Sequence, residues 1–199
     1  MIAVLILAAG ASSRMRGSDK LLEDVDGKPL LRRQMLRAQA TGAPVILTLP
    51  PQPHPRYDAI AELDVQCVPV PDAATGMSAS LRAGLAALPP ETQGVMVLLA
   101  DMPDITTEDM NIVLQGVDLR SDNLIWRAVT SAGKPGHPVI FHRHLFPELA
   151  ALTGDQGGGS VAQAHAGATS FIPLPDARAR MDLDTPEDWA RWRASRNAT

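Results

Sequence analysis

Residues 1–20 read MIAVLILAAGASSRMRGSDK, and this stretch decides how the rest of the chain is arranged. The first nine residues are apolar and include three β-branched side chains. Such a run is too short to span a membrane and has the length of a fully buried strand. It breaks at Gly10, and a loop of small residues follows that carries Arg14 and Lys20. The stretch therefore predicts a buried strand that leads into a cationic loop.

The loop has the composition of a phosphate-binding site. Gly10 and its small neighbours let backbone N–H groups approach a phosphate closely, while Arg14 and Lys20 can donate charge-assisted hydrogen bonds to its oxygens. Two common phosphate-binding patterns are missing. Position 15, where a Walker A loop needs its second glycine, is Met15, and no G-x-G-x-x-G follows the strand. Neither a P-loop NTPase nor a dinucleotide-binding Rossmann domain is supported.

The loop resembles the opening motif of the MobA-like NTP transferases, L-A-A-G-x-S-x-R-M-G-x-x-K. The matching positions are Leu7, Ala8, Ala9, Gly10, Ser12, Arg14, Met15, Gly17 and Lys20. Arg16 is one extra residue before the second glycine, and we expect it to lengthen the loop without removing a ligand group. An ordinary basic loop after an edge strand is the alternative interpretation. The resemblance implies that residues 7–10 and Ser12 contact a nucleotide, with Arg14 and Lys20 as catalytic groups.

Length and composition set the broad class of protein. A chain of 199 residues suits one domain, here residues 1–199, with a substantial core. A hydrophobic content of 45% and a charged content of 20% are typical of a soluble globular protein. The net charge of −4 argues against nucleic-acid binding, and no segment predicts membrane insertion. The single Cys67 excludes an internal disulfide and fits a reducing compartment, so we expect a cytoplasmic protein.

Apolar β-rich runs alternate with helical segments, the pattern of right-handed βαβ units and a parallel sheet. We expect strands at 1–9, 45–49, 65–68, 94–100, 124–129, 139–141 and 171–174. We expect helices at 29–40, 57–63, 80–88, 106–114, 145–151, 160–166 and from 186 onwards. The runs at 124–129 and 139–141 flank a turn and predict an antiparallel hairpin. With the family resemblance, this implies a three-layer α/β/α Rossmann-like nucleotidyltransferase fold, mostly parallel.

Residues 71–80, PDAATGMSAS, form a second loop that leads into a helix. The free N–H groups and positive dipole of a helix start suit a base carbonyl or a phosphate. Simple N-capping by Ser78 is the other interpretation. The sequence G-M-S-x-S-L is similar to the family's segment for the nucleotide base. The positions implied to bind the nucleotide are Gly76, Met77, Ser78 and Ser80.

The most apolar strand after the first, at 94–100, ends abruptly in Asp101-Met102-Pro103. Because parallel strands share one carboxyl edge, Asp101 should emerge beside the Gly10 loop. A carboxylate beside several phosphates is unfavourable unless a divalent cation lies between them, so Asp101 is predicted to bind Mg²⁺. A role for Asp101 as a turn or cap residue is the alternative. The segment also resembles the family's second motif, L-L-A-D-M-P.

A fourth motif lies near the chain's end, where Asp182 and Asp184 precede Thr185-Pro186 and Asp188. Thr185 is predicted to cap the last helix, with Asp188 three residues beyond the cap. The stretch resembles the family's D-x-D-T-P-x-D, which implies that one of the two earlier aspartates is the second metal ligand. We favour Asp182 over Asp184. Trp189 and Trp192, on that helix, are expected to pack it onto the sheet.

Two segments are expected to face the acceptor molecule, on the basis of the resemblance. Gly136-His137-Pro138 resembles a G-x-P pattern, although for a histidine in a hairpin a purely structural role is equally well supported. Residues 154–159 contain four glycines and match a G-D-x-G pattern at Gly154 and Asp155. Where the family usually has a basic residue, this chain has Gly159, so any anion contact from that side chain is missing.

Together these motifs predict a magnesium-dependent nucleotidyltransferase. Among the family's branches the chain most resembles the cytidylyltransferases, since Ala9 stands where the guanylyl branch carries glycine. The implied reaction moves CMP from CTP to the phosphate of molybdopterin or its molybdenum-loaded form and releases pyrophosphate. A receiving molybdoenzyme or its chaperone is a further implied partner. The alternatives are a sugar- or alditol-phosphate nucleotidyltransferase, a GTP-using guanylyltransferase and a non-catalytic cofactor carrier.

Overall fold

Strand β1 (Ile2–Leu7) lies at the centre of the protein, as its apolar sequence predicts. The computed structural model describes residues 1–197, and in it the four inner residues of this strand are completely buried. Alternate side chains of a strand point to opposite faces of the sheet. Ala3 and Leu5 accordingly pack into one hydrophobic cluster, and Val4 and Ile6 into another.

The other elements alternate along the chain much as the sequence predicts. The remaining strands of residues 1–197 are β2 (Asp24–Val25), β3 (Lys28–Pro29), β4 (Val45–Leu49), β5 (Gln66–Pro69), β6 (Gly94–Leu99), β7 (Ile125–Val129), β8 (Pro135–His142) and β9 (Thr169–Pro173). The α-helices are α1 (Leu30–Gln39), α2 (Pro55–Ala59), α3 (Met77–Ala86), α4 (Thr107–Gln115), α5 (Phe146–Ala150), α6 (Gly158–Ala164) and α7 (Pro186–Asn197).

Seven of the strands form one sheet in the order β5-β4-β1-β6-β8-β7-β9. β1 is parallel to β4 and β6, whereas β8 is antiparallel to both β6 and β7. This confirms the mostly parallel sheet with an antiparallel hairpin. Leu7, the last residue of β1, pairs with Leu99, the last residue of β6. The Gly10 loop and Asp101 therefore leave the sheet at the same edge.

Helices cover both faces of the sheet, which confirms the three-layer architecture. The larger hydrophobic cluster joins the sheet to α1, α4 and α7, and the second joins it to α3, α5 and α6. Trp189 and Trp192 belong to the larger cluster, where their ring centroids lie 5.7 Å apart in an edge-to-face arrangement. They pack α7 against the sheet, as expected. No helix within residues 1–197 combines the length and apolarity needed to cross a membrane.

Three helices begin earlier than predicted, among them α6, which starts two residues early. Helix α2 starts at Pro55 because the His54 side chain accepts a hydrogen bond from the Arg56 N–H. Helix α3 starts at Met77, three residues before the predicted start, because Gly76 enters it with a φ of 122°, a backbone conformation that favours glycine. Ser78 lies inside the first turn, so the interpretation of Ser78 as an N-cap is wrong.

Candidate active site

A cavity of about 540 Å³ lies at the carboxyl edge of β1 and β6. Five separate parts of the chain line it, and they are the parts that carry the sequence motifs. The lining residues of the first loop are Leu7, Ala8, Ala9, Gly10, Ala11, Ser12, Ser13, Arg14, Lys20 and Leu21. The others are Ala73, Ala74, Gly76, Met77, Ser80, Leu99, Asp101, Asp155, Asp182 and Asp184.

The first loop is held in a specific backbone conformation. Ser12 and Arg16 both lie in the left-handed region, with φ angles of 52° and 54°, and a short 3₁₀ turn spans Ser13–Met15 between them. Left-handed backbone is costly for residues other than glycine, so the surrounding contacts must hold it in place. One such contact is Met15, whose side chain is buried in the larger hydrophobic cluster.

Arg56 supplies the other contacts, and it is almost completely buried, with 1% of its side chain exposed. Its guanidinium donates to the Ala8 carbonyl oxygen at 2.6 Å, to Ser12 Oγ at 3.0 Å and to both Asp19 oxygens at 2.7 Å. Burial would raise the pKa of Asp19, but the hydrogen bonds and charge of Arg56 outweigh it, so this pKa lies below its ordinary value. No sequence signal pointed to Arg56, because an arginine in a proline-rich loop looks like a solvated charge.

Lys20 lies between two carboxylates from distant parts of the chain. Its ammonium group contacts Asp101 and donates to Asp184 Oδ1 at 2.7 Å. Arg14, which is largely exposed, pairs with the other oxygen of Asp184 at 2.8 Å. Burial opposes the charge of Lys20, but the two carboxylates outweigh it and raise the pKa of Lys20 above its ordinary value. Lys20 is therefore a permanently charged group at the cavity wall.

The carboxylates also suit a divalent cation. Asp101 is buried, and its Oδ1 has no hydrogen-bond partner among residues 1–197. Burial, Asp101 and Asp184 together raise the pKa of Asp182, so added positive charge there would be favourable. The described residues contain no group of three or more His, Cys, Asp or Glu arranged as a complete metal site. Mg²⁺ does not need a complete site of protein side chains, since it commonly binds one or two carboxylates together with substrate phosphates.

The motif near the C-terminus places the carboxylates of Asp182 and Asp184 just before the start of helix α7. The Thr185 hydroxyl accepts from the Asp188 N–H at 3.2 Å, while the Asp188 carboxylate accepts from the Thr185 N–H at 2.9 Å. This capping box confirms the roles predicted for Thr185 and Asp188. It also fixes the backbone directly after Asp184.

The segment predicted to hold the base contributes Gly76, Met77 and Ser80 to the cavity, but Ser78 lies outside it. Ser78 is fully buried. Its N–H donates to the Gly154 carbonyl oxygen at 3.2 Å, and its hydroxyl accepts from Arg82 Nη1 at 3.2 Å. The Ser78 N–H thus ties α3 to the glycine loop (residues 154–159), whereas its hydroxyl bond lies within the helix.

Gly76 makes the closest approach between these two segments. A Cβ added at Gly76 would overlap the backbone of Gly154 and would lie 2.7 Å from the Asp155 nitrogen. Gly154 itself does not line the cavity, whereas the next residue, Asp155, does. The contact brings the two predicted substrate segments together and places Asp155 at the cavity wall.

A second, smaller cavity of about 70 Å³ adjoins the first and shares Leu7, Met77 and Leu99 with it. His137 lines it, with Nδ1 3.5 Å from the Val97 carbonyl oxygen, and so does Gly159 of the glycine loop. Burial lowers the pKa of His137 from 6.5 to about 4, and the charge of Arg127 acts in the same direction. His137 is therefore neutral at physiological pH.

Gly136 lies outside both cavities. A Cβ there would overlap the backbone of Ala179, and the Gly136 carbonyl oxygen accepts a hydrogen bond from Arg127 Nε at 3.1 Å. The close approach of Gly136 to the backbone of Ala179 therefore explains why this position is a glycine.

A comparison with protein-family models matches residues 4–169 to the MobA-like NTP transferase domain. This range covers the strand, the loop and most of the residues that line both cavities. The chain belongs to the MobA-like NTP transferase family. It is a nucleotidyltransferase, as the sequence motifs predict.

Relatives of known sequence and structure agree with this assignment. This MobA-like transferase is 31% identical to the probable molybdenum cofactor guanylyltransferase of Synechococcus elongatus, over 94% of this chain and 95% of the relative. It is 28% identical to the molybdenum cofactor guanylyltransferase of Vibrio cholerae, over 96% and 90% of the two chains. The crystal structure of Rv0371c from Mycobacterium tuberculosis superposes with a TM-score of 0.83 at 28% identity and covers 96% of each chain. Rv0371c has also been crystallised in complex with manganese.

Proposed function

We propose that this protein transfers the CMP unit of CTP to the terminal phosphate of molybdopterin, or of its molybdenum-loaded form, and releases pyrophosphate. The observation that carries the proposal is the convergence of Lys20, Arg14, Asp101 and Asp182 on one cavity at the end of the Gly10 loop. This combination of cations, carboxylates and small-residue backbone suits a nucleoside triphosphate and a divalent cation.

The reaction needs no protein nucleophile. An oxygen of the acceptor phosphate attacks the α-phosphorus of the nucleotide, a new P–O bond forms, and the bond to the β-phosphate oxygen breaks. Lys20 and Arg14 would neutralise charge on the triphosphate and on the departing pyrophosphate. Backbone N–H groups of the Gly10 loop would orient the phosphates. Catalysis of this kind is alignment and electrostatic stabilisation.

Asp101 and Asp182 are the residues proposed to hold Mg²⁺. Their fit rests on the unpartnered Asp101 Oδ1 and on the crowding of negative charge around Asp182. When bound, the cation would supply Lewis-acid stabilisation of charge on the phosphate oxygens. The manganese complex of Rv0371c supports a divalent metal in the family. Asp184, which pairs with both Lys20 and Arg14, would orient those two cations.

The choice of CTP rests on Ala9. Its methyl group lies in a small buried cluster with Val70 and Ala79, at the wall of the first cavity. A methyl there narrows the space for a purine while a pyrimidine still fits, a difference of about 1–3 kcal/mol. The guanylyltransferase relatives favour a second candidate, transfer of GMP from GTP. A comparison of the turnover rates of CTP and GTP, measured on the same preparation, decides between the two candidates.

The acceptor is proposed to occupy the side of the active site near Asp155 and the second cavity. Neutral His137 can donate or accept a hydrogen bond, as a pterin ring requires. The second cavity is smaller than a pterin, so the ring would have to lie across both cavities, beside the residues Leu7, Met77 and Leu99 that line both. Loop N–H groups and Lys20 would meet the acceptor phosphate, since Gly159 provides no side-chain cation.

An acceptor panel tests the proposal. The purified protein is incubated with Mg²⁺ and CTP, and with molybdopterin, a sugar phosphate or an alditol phosphate, while pyrophosphate release is followed. The proposal predicts release with molybdopterin. Release only with the sugar or alditol phosphate would assign the protein to that class of transferase. Nucleotide binding without release on any acceptor, with CTP and with GTP, would favour a cofactor carrier.

A further inference from the structure

Arg56 holds the first loop at both ends and in the middle. Its partners are Ala8, which precedes Gly10, Ser12, which has left-handed backbone, and Asp19, which precedes Lys20. Asp19 extends the network, because it accepts from the Ser12 hydroxyl at 3.1 Å and from the Leu21 N–H at 3.0 Å. One buried guanidinium thereby contacts the loop where it begins, turns and ends.

We propose that Arg56 is a positioning residue for nucleotidyl transfer, which through Asp19 and Ser12 holds the phosphate-facing loop and Lys20 ready for the nucleoside triphosphate. Arg56 does not line the cavity, so it acts through the loop and not on the substrate. The inference depends on nucleotidyl transfer itself and not on which base or acceptor is used.

The chemistry of the contact explains why an arginine is needed. The planar guanidinium pairs with both oxygens of Asp19 and still has donors for Ala8 and Ser12. A lysine at this position would keep the charge but could not reproduce this fixed fork of donors. Ser12, which the sequence motif assigns to nucleotide binding, has its hydroxyl inside this network. Its contribution is therefore to shape the loop as well as to line the cavity.

The test compares four variants of the full chain: Arg56→Gln, Arg56→Lys, Asp19→Asn and Arg32→Gln. Arg32 is the matched control because it anchors the same helix α2, donating to the Ala59 carbonyl oxygen at 3.2 Å, yet does not touch the loop. Pyrophosphate release gives kcat/KM for the nucleotide and KM for the acceptor. Titration with Mg²⁺-nucleotide gives the dissociation constant, and urea unfolding identifies the conditions under which each variant is folded.

In Arg56→Gln and Asp19→Asn, kcat/KM for the nucleotide should fall by about 10- to 100-fold, as expected for small misplacements of reacting groups. KM for the acceptor should rise by no more than about threefold, because the loop is proposed to meet only the acceptor's phosphate and the rest of the acceptor lies near Asp155 and His137. Arg56→Lys should remain roughly fivefold or more below the parent. Combining Asp19→Asn with Arg56→Gln should add little further loss, since both break one contact.

A folded Arg56→Gln or Asp19→Asn protein with kcat/KM near the parent value would overturn the inference, as would an equal loss in Arg32→Gln. A proportional rise in acceptor KM would indicate general loosening and also contradict it. If Arg56→Gln does not fold, the result for Asp19→Asn decides the inference.

If the parent protein releases no pyrophosphate on any acceptor, the proposed function fails, but the inference about Arg56 can still be tested by nucleotide binding. Roughly tenfold weaker binding in Arg56→Gln would support the inference, and unchanged binding would overturn it.

Discussion

Lys20 Nζ lies 2.7 Å from Asp184 Oδ1, although 164 positions separate the two residues in the chain. The same ammonium group contacts Asp101, so it joins three motifs that the sequence shows only as separate patterns. The parallel order of β1 and β6 produces this convergence, because both strands end at the same edge of the sheet. The proposed active site depends on this convergence.

Asp101→Asn should lower kcat by about 100-fold or more, because metal binding and the stabilisation it gives to the transition state would be lost. Asp104→Asn, three residues away, is the control. Asp104 accepts a hydrogen bond from Trp192 Nε1 at 3.0 Å, a contact that an asparagine oxygen can still make. Steady-state pyrophosphate release measures both variants. Full activity of Asp101→Asn with magnesium as the only metal would contradict the assignment.

Asp182→Asn and Asp184→Asn should differ in how they respond to metal. Asp182 forms no ion pair with any of residues 1–197, whereas Asp184 pairs with Arg14 and Lys20. We expect Asp182→Asn to need a roughly tenfold higher magnesium concentration for half-maximal rate. Asp184→Asn should mainly raise KM for the nucleotide. Magnesium titrations of both variants measure this difference. A higher magnesium requirement in Asp184→Asn, with a normal requirement in Asp182→Asn, would identify Asp184 as the second metal ligand.

Ala9→Gly should weaken the preference for CTP over GTP by about 1–3 kcal/mol in kcat/KM, because the space for a purine would widen. Ala11→Gly, in the same loop but exposed, controls for the added backbone flexibility and should affect both nucleotides equally. Competition between CTP and GTP in one reaction measures the ratio directly. A parent enzyme that turns over GTP as well as CTP would remove the basis of this prediction.

Gly76→Ala should destabilise the protein by about 1–3 kcal/mol, since the new Cβ would overlap Gly154 and the backbone conformation at position 76 is strained for alanine. Gly159→Ala offers a contrast, because an added Cβ there meets nothing within 4 Å and should be nearly neutral. Urea unfolding of the two variants gives the free energies. Equal stability of both would show that the contact between Gly76 and Gly154 is unimportant.

The depressed pKa of His137 predicts a pH-dependent stability. The folded state holds this pKa near 4 against an ordinary 6.5, so the unfolded chain binds more protons between these values. The contribution of neutral His137 to the free energy of unfolding is complete above pH 6.5 and is lost as the pH falls towards 4. Replacing His137 by Asn should therefore reduce the loss of unfolding free energy between pH 7 and pH 4.5 by roughly 1–3 kcal/mol. An identical pH dependence in both proteins would contradict the burial of His137.

Much of the fold and site follows from the sequence because the deciding patterns are local. The apolar runs ending at Gly10 and at Asp101 predict strands, and the parallel-sheet rule then brings Lys20 and Asp101 together. The start of α3 did not follow, because it depends on the φ of 122° at Gly76, which is a property of the folded backbone. Arg56 was missed for the same reason, since its partners are distant in sequence and its burial is a property of the folded state.

The central claim is the transfer of a nucleotide unit to a phosphorylated acceptor with the loss of pyrophosphate. Its most direct test uses CTP labelled at the α-phosphate, Mg²⁺ and molybdopterin, with separate detection of the labelled product and of pyrophosphate. We predict that label appears in the acceptor and that one pyrophosphate is released for each label transferred, with both rates lowered about 100-fold or more by Asp101→Asn. Pyrophosphate release without label in the acceptor, or transfer that is unaffected by Asp101→Asn, would contradict the account.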